Sequence, residues 1–249
     1  MVIGDKGSIE SIFSDYLNEY EATTIEEQHE LLNRVDASLF STTYEYEWSR
    51  YNQAICESVM KMVRYEASLR AWSATLAKYP REQCEMLKVD FVMPVLHLAC
   101  ELPLMVKDEI VHGASTLSYL ASNEDRDLAA LENVKQGGWQ DLFSREVRSR
   151  PEGKELSEKV DALWESDGAK RLRNRHGATQ HDVYPDLINT RPLAWEDGNG
   201  VTFFGIEEPI DLGNEIEAMS AQRIVAQEAY REFHRFASKL HDEMPPTMP

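Results

Sequence analysis

Thr43 to Tyr79, TYEYEWSRYNQAICESVMKMVRYEASLRAWSATLAKY, contains neither glycine nor proline, and Trp48, Tyr51, Ile55, Val59, Met62, Val63, Leu69, Trp72 and Leu76 recur along it at helical spacing until Pro80. That period gathers side chains on one face of an α-helix, so the stretch predicts a long amphipathic helix ended by a residue with no N–H to give. It is expected to be the longest helix of the chain. Its length suits the spine of a helical bundle, and without a sustained apolar heptad it does not ask for a coiled coil.

Outward from this spine the same period continues in both directions. Ile9, Ile12, Phe13, Tyr16, Leu17 and Tyr20 predict a helix from Ser8, with Ser8 or Ser11 as its N-terminal cap. Thr23 or Thr24 precedes Ile25-Glu26-Glu27, with acids in a first turn, and Leu31, Leu32, Val35 and Leu39 extend a second helix. After the spine, Pro80 suits the first turn of a helix carrying Met86, Leu87, Phe91, Val95 and Leu98 towards Leu102, with a kink expected at Pro94. A separate helix is expected from Pro103 to Leu120, weakened at Gly113, and Asn123-Glu124-Asp125 caps another through Leu128 and Leu131 that Gly137-Gly138 ends.

Trp139, Leu142, Phe143 and Val147 predict a short helix, and Arg150-Pro151-Glu152-Gly153 a turn. Leu156, Val160, Leu163 and Trp164 lead the next helix, with a bend expected at Asp167-Gly168. Between Asp182 and Pro209 the helical period is lost among Pro185, Pro192, Gly198, Gly200 and Gly205, and Val201 to Ile206 reads as one strand of a small hairpin. From Asp211 to Glu243 the period returns, with Ile216, Met219, Ile224, Val225, Ala229, Phe233, Phe236 and Leu240 expected on the inner face. The fold class is therefore all-α: a helical bundle with a small β-hairpin insertion before the last long helix. One helical domain is expected over 1–249, in which 1–150 supply the N-terminal helices, 151–244 the later part, and 245–249 a flexible tail.

Composition limits the function. The 249 residues are 42% hydrophobic and 9% aromatic, enough for a substantial core, and carry a formal charge of -18 that repels nucleic acid from most of the surface. No run reaches the roughly 20 apolar residues that span a bilayer, since Phe91 to Met105 is interrupted by His97 and Glu101, and the start lacks an apolar signal core. No membrane association is expected. The chain is expected in the cytoplasm, where Cys56, Cys84 and Cys100 stand as small apolar residues. There is no phosphate-binding glycine loop, dinucleotide fingerprint, nucleophile elbow or HExxH. Glu26-x-x-His29 has the spacing of a di-iron helix but no second Glu-x-x-His answers it, so neither metal nor cofactor is expected. Tyr44, Tyr46, Trp48 and Tyr51 could stack bases, but the interleaved Glu45 and Glu47 favour packing or a protein interface. His97 suits a hydrogen-bonded core histidine, and His112, His234 and His241 have no partner at a diagnostic spacing.

One stretch departs from the acidic background: Lys170-Arg171-Leu172-Arg173-Asn174-Arg175-His176-Gly177-Ala178-Thr179-Gln180-His181-Asp182. Cations beside two imidazoles could hold a phosphate and move a proton. Arg175 followed by five residues and His181, with a polar residue after the arginine, resembles the ribonuclease motif of the HEPN superfamily. Arg171 to His176 is a second match, with Leu172 in the polar position, and Arg173-Asn174 supplies a pair the family often writes, although His181 lies two residues beyond that pattern. His181-Asp182-Val183-Tyr184 differs likewise from the His-x-Tyr ending of a toxin variant. The resemblance covers roughly 156–244. It implies an all-α domain that cleaves RNA without metal, with Arg175, His181, His176 and Asn174 in catalysis and Lys170, Arg171, Arg173 and Tyr184 holding RNA. It also implies a homodimer in which two motifs face one cleft, with a protein partner or antitoxin as a possible regulator.

On an unbroken helix Arg175 and His181 would stand about 120° apart, while Asn174, His181 and Tyr184 would share a face. Gly177 leaves two arrangements open: a break that lets Arg175 and His181 meet, or a continuous face carrying Asn174, His181 and Tyr184. A plain structural reading also stands, with 170–175 as a solvated helix end and the histidines paired with Asp182 or Asp186. The alternative function is a non-catalytic helical interaction or regulatory module that binds a protein partner.

Overall fold

A computed structural model describes residues 9–23, 43–122, 138–172, 191–196, 202–207 and 211–244. The fold is all-α. Its helices are α1 (Ile9–Ala22), α2 (Thr43–Leu76), α3 (Arg81–Leu87), α4 (Met93–Ser122), α5 (Trp139–Phe143), α6 (Lys154–Glu165) and α7 (Leu212–Glu243). The backbones of β1 (Arg191–Glu196) and β2 (Thr202–Glu207) run antiparallel, with Leu193 opposite Gly205. The helices expected over 25–39 and after Asn123, and the tail 245–249, lie outside the described residues.

The spine forms as its composition requires. At 34 residues α2 is the longest of these α-helical elements, ahead of α7 with 32 and α4 with 30, while the helical run that includes α4 and the π turn before it covers 83–122. Ile55, Val59, Met62, Val63, Leu69 and Trp72 are buried along it. It closes with i+3 bonds from the Lys78 and Tyr79 amides to Thr75 and Leu76. Pro80 then adopts φ -60° and ψ 149°, so it precedes α3 instead of occupying its first turn.

The proline expectations need correction. Pro94 lies inside a helical run that is unbroken from 81 to 122, and the irregularity that goes with its missing N–H is a π-helical turn at Lys88–Val92 just before it. Pro103 does not start a new helix, because α4 continues through it. An internal proline costs about 3 kcal/mol, and burial of Leu96, Ala99, Cys100, Leu102, Val106 and Ile110 on either side offsets that cost. Gly113 is likewise no break. A Cβ there would lie 2.9 Å from Tyr51 Cγ and 3.0 Å from Phe233 Cε2, so the missing side chain admits two rings. Residues 83–122 form one helical run long and apolar enough, by length and composition, to cross a bilayer, and 44% of its most apolar window is buried inside the protein, as in a core helix.

The chain divides into two compact units. The first comprises 1–25, 64–101 and 171–220, the second 26–63, 102–170 and 221–249. In the first, Trp72 stacks on Tyr16 with ring centres 4.3 Å apart and meets Phe13 edge-on at 5.5 Å. Tyr16 and Ser68 share a hydrogen bond of 3.0 Å, the Tyr79 hydroxyl donates to Asp15 at 2.7 Å, and Lys78 pairs with Glu19 at 2.8 Å. These contacts fix α1 against the end of α2.

In the second unit the buried Tyr44 donates to the Ala237 carbonyl at 2.7 Å and Tyr230 to Asn52 Oδ1 at 3.0 Å, so two phenols tie α2 to α7. Phe143, Phe233, Ile110, Leu117 and Leu120 fill the core there. Gly138, with φ 89°, opens α5, a backbone conformation that other residues rarely adopt. The short helix expected after it divides into α5 and a π-helical turn at Ser144–Arg148. The inner face of α7 is partly as expected, with Ile216, Met219, Ala229, Phe233, Phe236 and Leu240 buried, but Ile224 is exposed while Gln222, Arg223 and Gln227 are buried in its place.

Candidate functional site

The basic stretch begins on a helix with a defined start. α6 ends at Glu165, and Ser166 turns extended at φ -61° and ψ 155°. Its hydroxyl oxygen then accepts the Ala169 amide at 3.1 Å, an N-terminal cap for a helical segment over 167–172. The bend expected at Asp167-Gly168 therefore falls one residue earlier, where a capping side chain is available. Gln222 Nε2 also donates to that hydroxyl, at 2.5 Å, fixing the cap to α7.

Two of the predicted site residues fall on this segment. Lys170 is exposed, with its ammonium 4.0 Å from Asp167. Arg171 is committed elsewhere: its Nε and Nη2 both donate to Glu215 Oε1, at 3.0 and 2.9 Å. The Glu215 side chain is fully buried in the first turns of α7, whereas that of Arg171 remains 41% exposed. Donation to this carboxylate raises the Arg171 pKa further above its ordinary value, so the guanidinium stays charged. Leu172, next in the chain, is buried. Arg173, Asn174, Arg175, His176, His181 and Tyr184 lie outside the described residues, as do Glu26 and His29.

The second unit holds a cluster that spacing within one segment did not reveal. His234 and His241 are seven residues apart on α7, two helical turns, and so share a face. Trp48 of α2 packs against both, with ring centres 5.3 Å from His234 and 6.0 Å from His241, and the Tyr44 ring lies 5.9 Å from His241. His241 Nε2 is 3.5 Å from Glu45 Oε1, and its Nδ1 is 3.8 Å from Asp242 Oδ1. Burial holds the His234 pKa below its ordinary value, so that imidazole is neutral at pH 7. The Trp48 indole N–H is buried with no acceptor among the described residues.

The aromatic run on α2 thus serves mainly for packing. Tyr44 and Trp48 enter this cluster, Tyr51 packs beside Gly113, and only Tyr46 of the four is largely exposed. His112 likewise gains a ring partner, Trp139, at 4.4 Å. The missed signal was the match between α7's two-turn repeat and the aromatic start of α2, a pairing across nearly the whole sequence.

Other titratable groups are structural in character. Burial pushes the Glu109 carboxyl up, partly offset by the Ser58 hydroxyl donating at 3.2 Å. Cys84 and Cys100 are buried and Cys56 half-buried, all as thiols. Among the described residues no group of three or more His, Cys, Asp or Glu side chains is placed to hold a metal ion.

Comparison of the chain with protein families, with curated proteins and with solved structures finds no match. The likeness to the HEPN motif stands on the residues between Lys170 and Tyr184.

Proposed function

We propose that this protein is a HEPN-like, metal-independent endoribonuclease. The observation that supports it is the Arg171–Glu215 anchor. It fixes the end of the 167–172 segment to a buried carboxylate, and in the sequence the remaining cations and both imidazoles of the motif follow directly after that segment. On this reading Arg171 is a positioning residue more than an RNA contact, while Lys170 and Arg173 attract phosphate. Arg175 holds the scissile phosphate, with Asn174 and Tyr184 available to orient it.

In the proposed reaction a base takes the proton of the ribose 2′-hydroxyl, and the oxygen attacks the adjacent phosphorus. The bond to the 5′-oxygen breaks, and an acid returns a proton to that leaving oxygen. The products are a 2′,3′-cyclic phosphate and a 5′-hydroxyl. His181 supplies one proton transfer; the other comes from His176 or from His181 of a second copy, which makes a homodimer part of the proposal. A cytoplasmic setting, and a hairpin insertion whose two strands carry the antiparallel register of 191–196 and 202–207, belong to the same reading.

His181→Ala and Arg175→Ala should each lower RNA cleavage by at least about a hundredfold, the usual worth of a general acid or base, while the helical circular dichroism stays unchanged. Cleavage at the parental rate by the double variant would sink the mechanism. The second reading, a non-catalytic interaction module, is favoured by one observation: the first unit exposes Ile9, Leu17, Val89, Phe91 and Leu98. It predicts no cleavage by the parental chain.

A further inference from the structure

Ile9, Leu17, Phe91 and Leu98, four of the five large apolar side chains exposed on the first unit among the described residues, fall in two stripes. Along α1, Ile9 (62% exposed), Phe13 and Leu17 (55%) follow one another at four-residue steps. Phe91 (39%), Pro94 and Leu98 (47%) do so at three- and four-residue steps from the π-helical turn into α4. Side chains at these spacings share a helix face. The Phe13 ring stands edge-on to that of Phe91, 4.9 Å between centres, so the two stripes meet along one seam. Trp72 stacks on Phe91 with ring centres 5.9 Å apart. A continuous apolar seam between two helices is what an amphipathic helix of another chain buries its own face against.

The α1 side of the seam is acidic, and the facing segment carries Lys88 as well as Asp90. α1 carries Glu10, Asp15, Glu19 and Glu21 and no lysine or arginine. Asp15 and Glu19 are taken by Tyr79 and Lys78. Glu10, Glu21 and Asp90, beside Phe91, are exposed and take part in no ion pair among the described residues. At this seam a second copy would set the same carboxylates against Glu10, Glu21 and Asp90, and an anionic lipid headgroup or a nucleic acid would be repelled there in the same way.

We propose that this seam docks one amphipathic helix of a basic partner protein. The partner's apolar residues lie between α1 and the 88–98 segment, and its lysines or arginines stand over Glu10, Glu21 and Asp90. The inference is independent of the chemistry assigned to Arg175 and His181.

The test uses the full chain and two labelled designed helical peptides that share a leucine stripe and differ in carrying lysine or glutamate on the polar face. Fluorescence anisotropy should show saturable binding of the lysine peptide, weakened at about 0.5 M NaCl, where the screening length falls to a few ångström. The glutamate peptide should not bind. Ile9→Lys combined with Leu17→Lys should weaken the lysine peptide by at least about tenfold. Leu98→Lys on the facing stripe should do the same, with circular dichroism confirming that each exposed-site variant folds. Equal binding of both peptides, no binding of the lysine peptide, or binding indifferent to both variants would overturn the proposal. So would self-association in sedimentation, or flotation with phosphatidylcholine vesicles, that Ile9→Lys with Leu17→Lys abolishes, since the seam would then take a second copy or a lipid surface.

Discussion

Phe13, Tyr16, Trp72 and Phe91 in the first unit, and Tyr44, Trp48, His234 and His241 in the second, are clusters built alike, each with an indole packed among rings from other turns and helices. Their chemistry differs. The first contains no imidazole and turns part of its apolar edge to solvent; the second places two imidazoles against Trp48 and a carboxylate of Glu45 near one of them. Ring area alone therefore does not set what a cluster does. The first stabilises by burial at any pH and leaves an adhesive seam, whereas the second couples packing to proton uptake.

The largest expected effect comes from removing the more buried indole. Trp72 is only 3% exposed, so Trp72→Ala should cost about 3–5 kcal/mol in urea unfolding. Trp48→Ala, at a half-buried ring, should cost about half as much. Equal losses would erase the distinction between the clusters.

The first unit contains the buried carboxylates Glu66 and Glu215, whose charges are matched by Arg70 and Arg171. Removing one partner of a fully buried pair costs about 3–5 kcal/mol. Because Arg171 is 41% exposed to screening water, Arg171→Ala should cost about 1–2 kcal/mol. A double-mutant cycle with Glu215→Gln measures their coupling, and strictly additive losses would mean that the two groups do not support each other.

The smallest effect is the most specific. The His234 pKa is lowered by burial, while an unfolded imidazole titrates at about 6.5. Below that pH the unfolded chain takes up a proton that the folded chain refuses. Stability from this site is thus fully present above about pH 6.5 and declines as pH falls towards the folded-state value, levelling off below it. His241, with Glu45 and Asp242 near its ring nitrogens, and Tyr44 share this cluster, and His234→Gln leaves them in place. Stability measured from about pH 8 down to pH 5 should fall less steeply in His234→Gln than in the parental chain. Parallel curves would show that His234 does not carry the dependence.

Most helices were legible because their signals are local. The glycine- and proline-free run ending at Pro80 gave α2, and Asp211, whose carboxylate accepts the Gly213 amide at 2.9 Å, marked the start of α7. The errors at Pro103, Gly113 and Ile224 share a cause: each depends on what packs against the position, and residues far away in sequence decide it. Gly113 reads as a weak point until Tyr51 and Phe233 occupy the space of its side chain. The site was legible only in part. The basic run contains Arg171 but gives no sign of Glu215, which pairs with it across 44 residues. The His234–Trp48–His241 contacts lie beyond any local motif.

The proposed function is tested most directly by incubating the full chain with RNA in excess EDTA and determining the chemistry of the new ends. Phosphoryl transfer by the ribose 2′-oxygen with imidazole proton transfer predicts undiminished cleavage, with 2′,3′-cyclic phosphate on one fragment and a 5′-hydroxyl on the other. Intact RNA, cleavage abolished by EDTA, or a 3′-hydroxyl with a 5′-phosphate would contradict it.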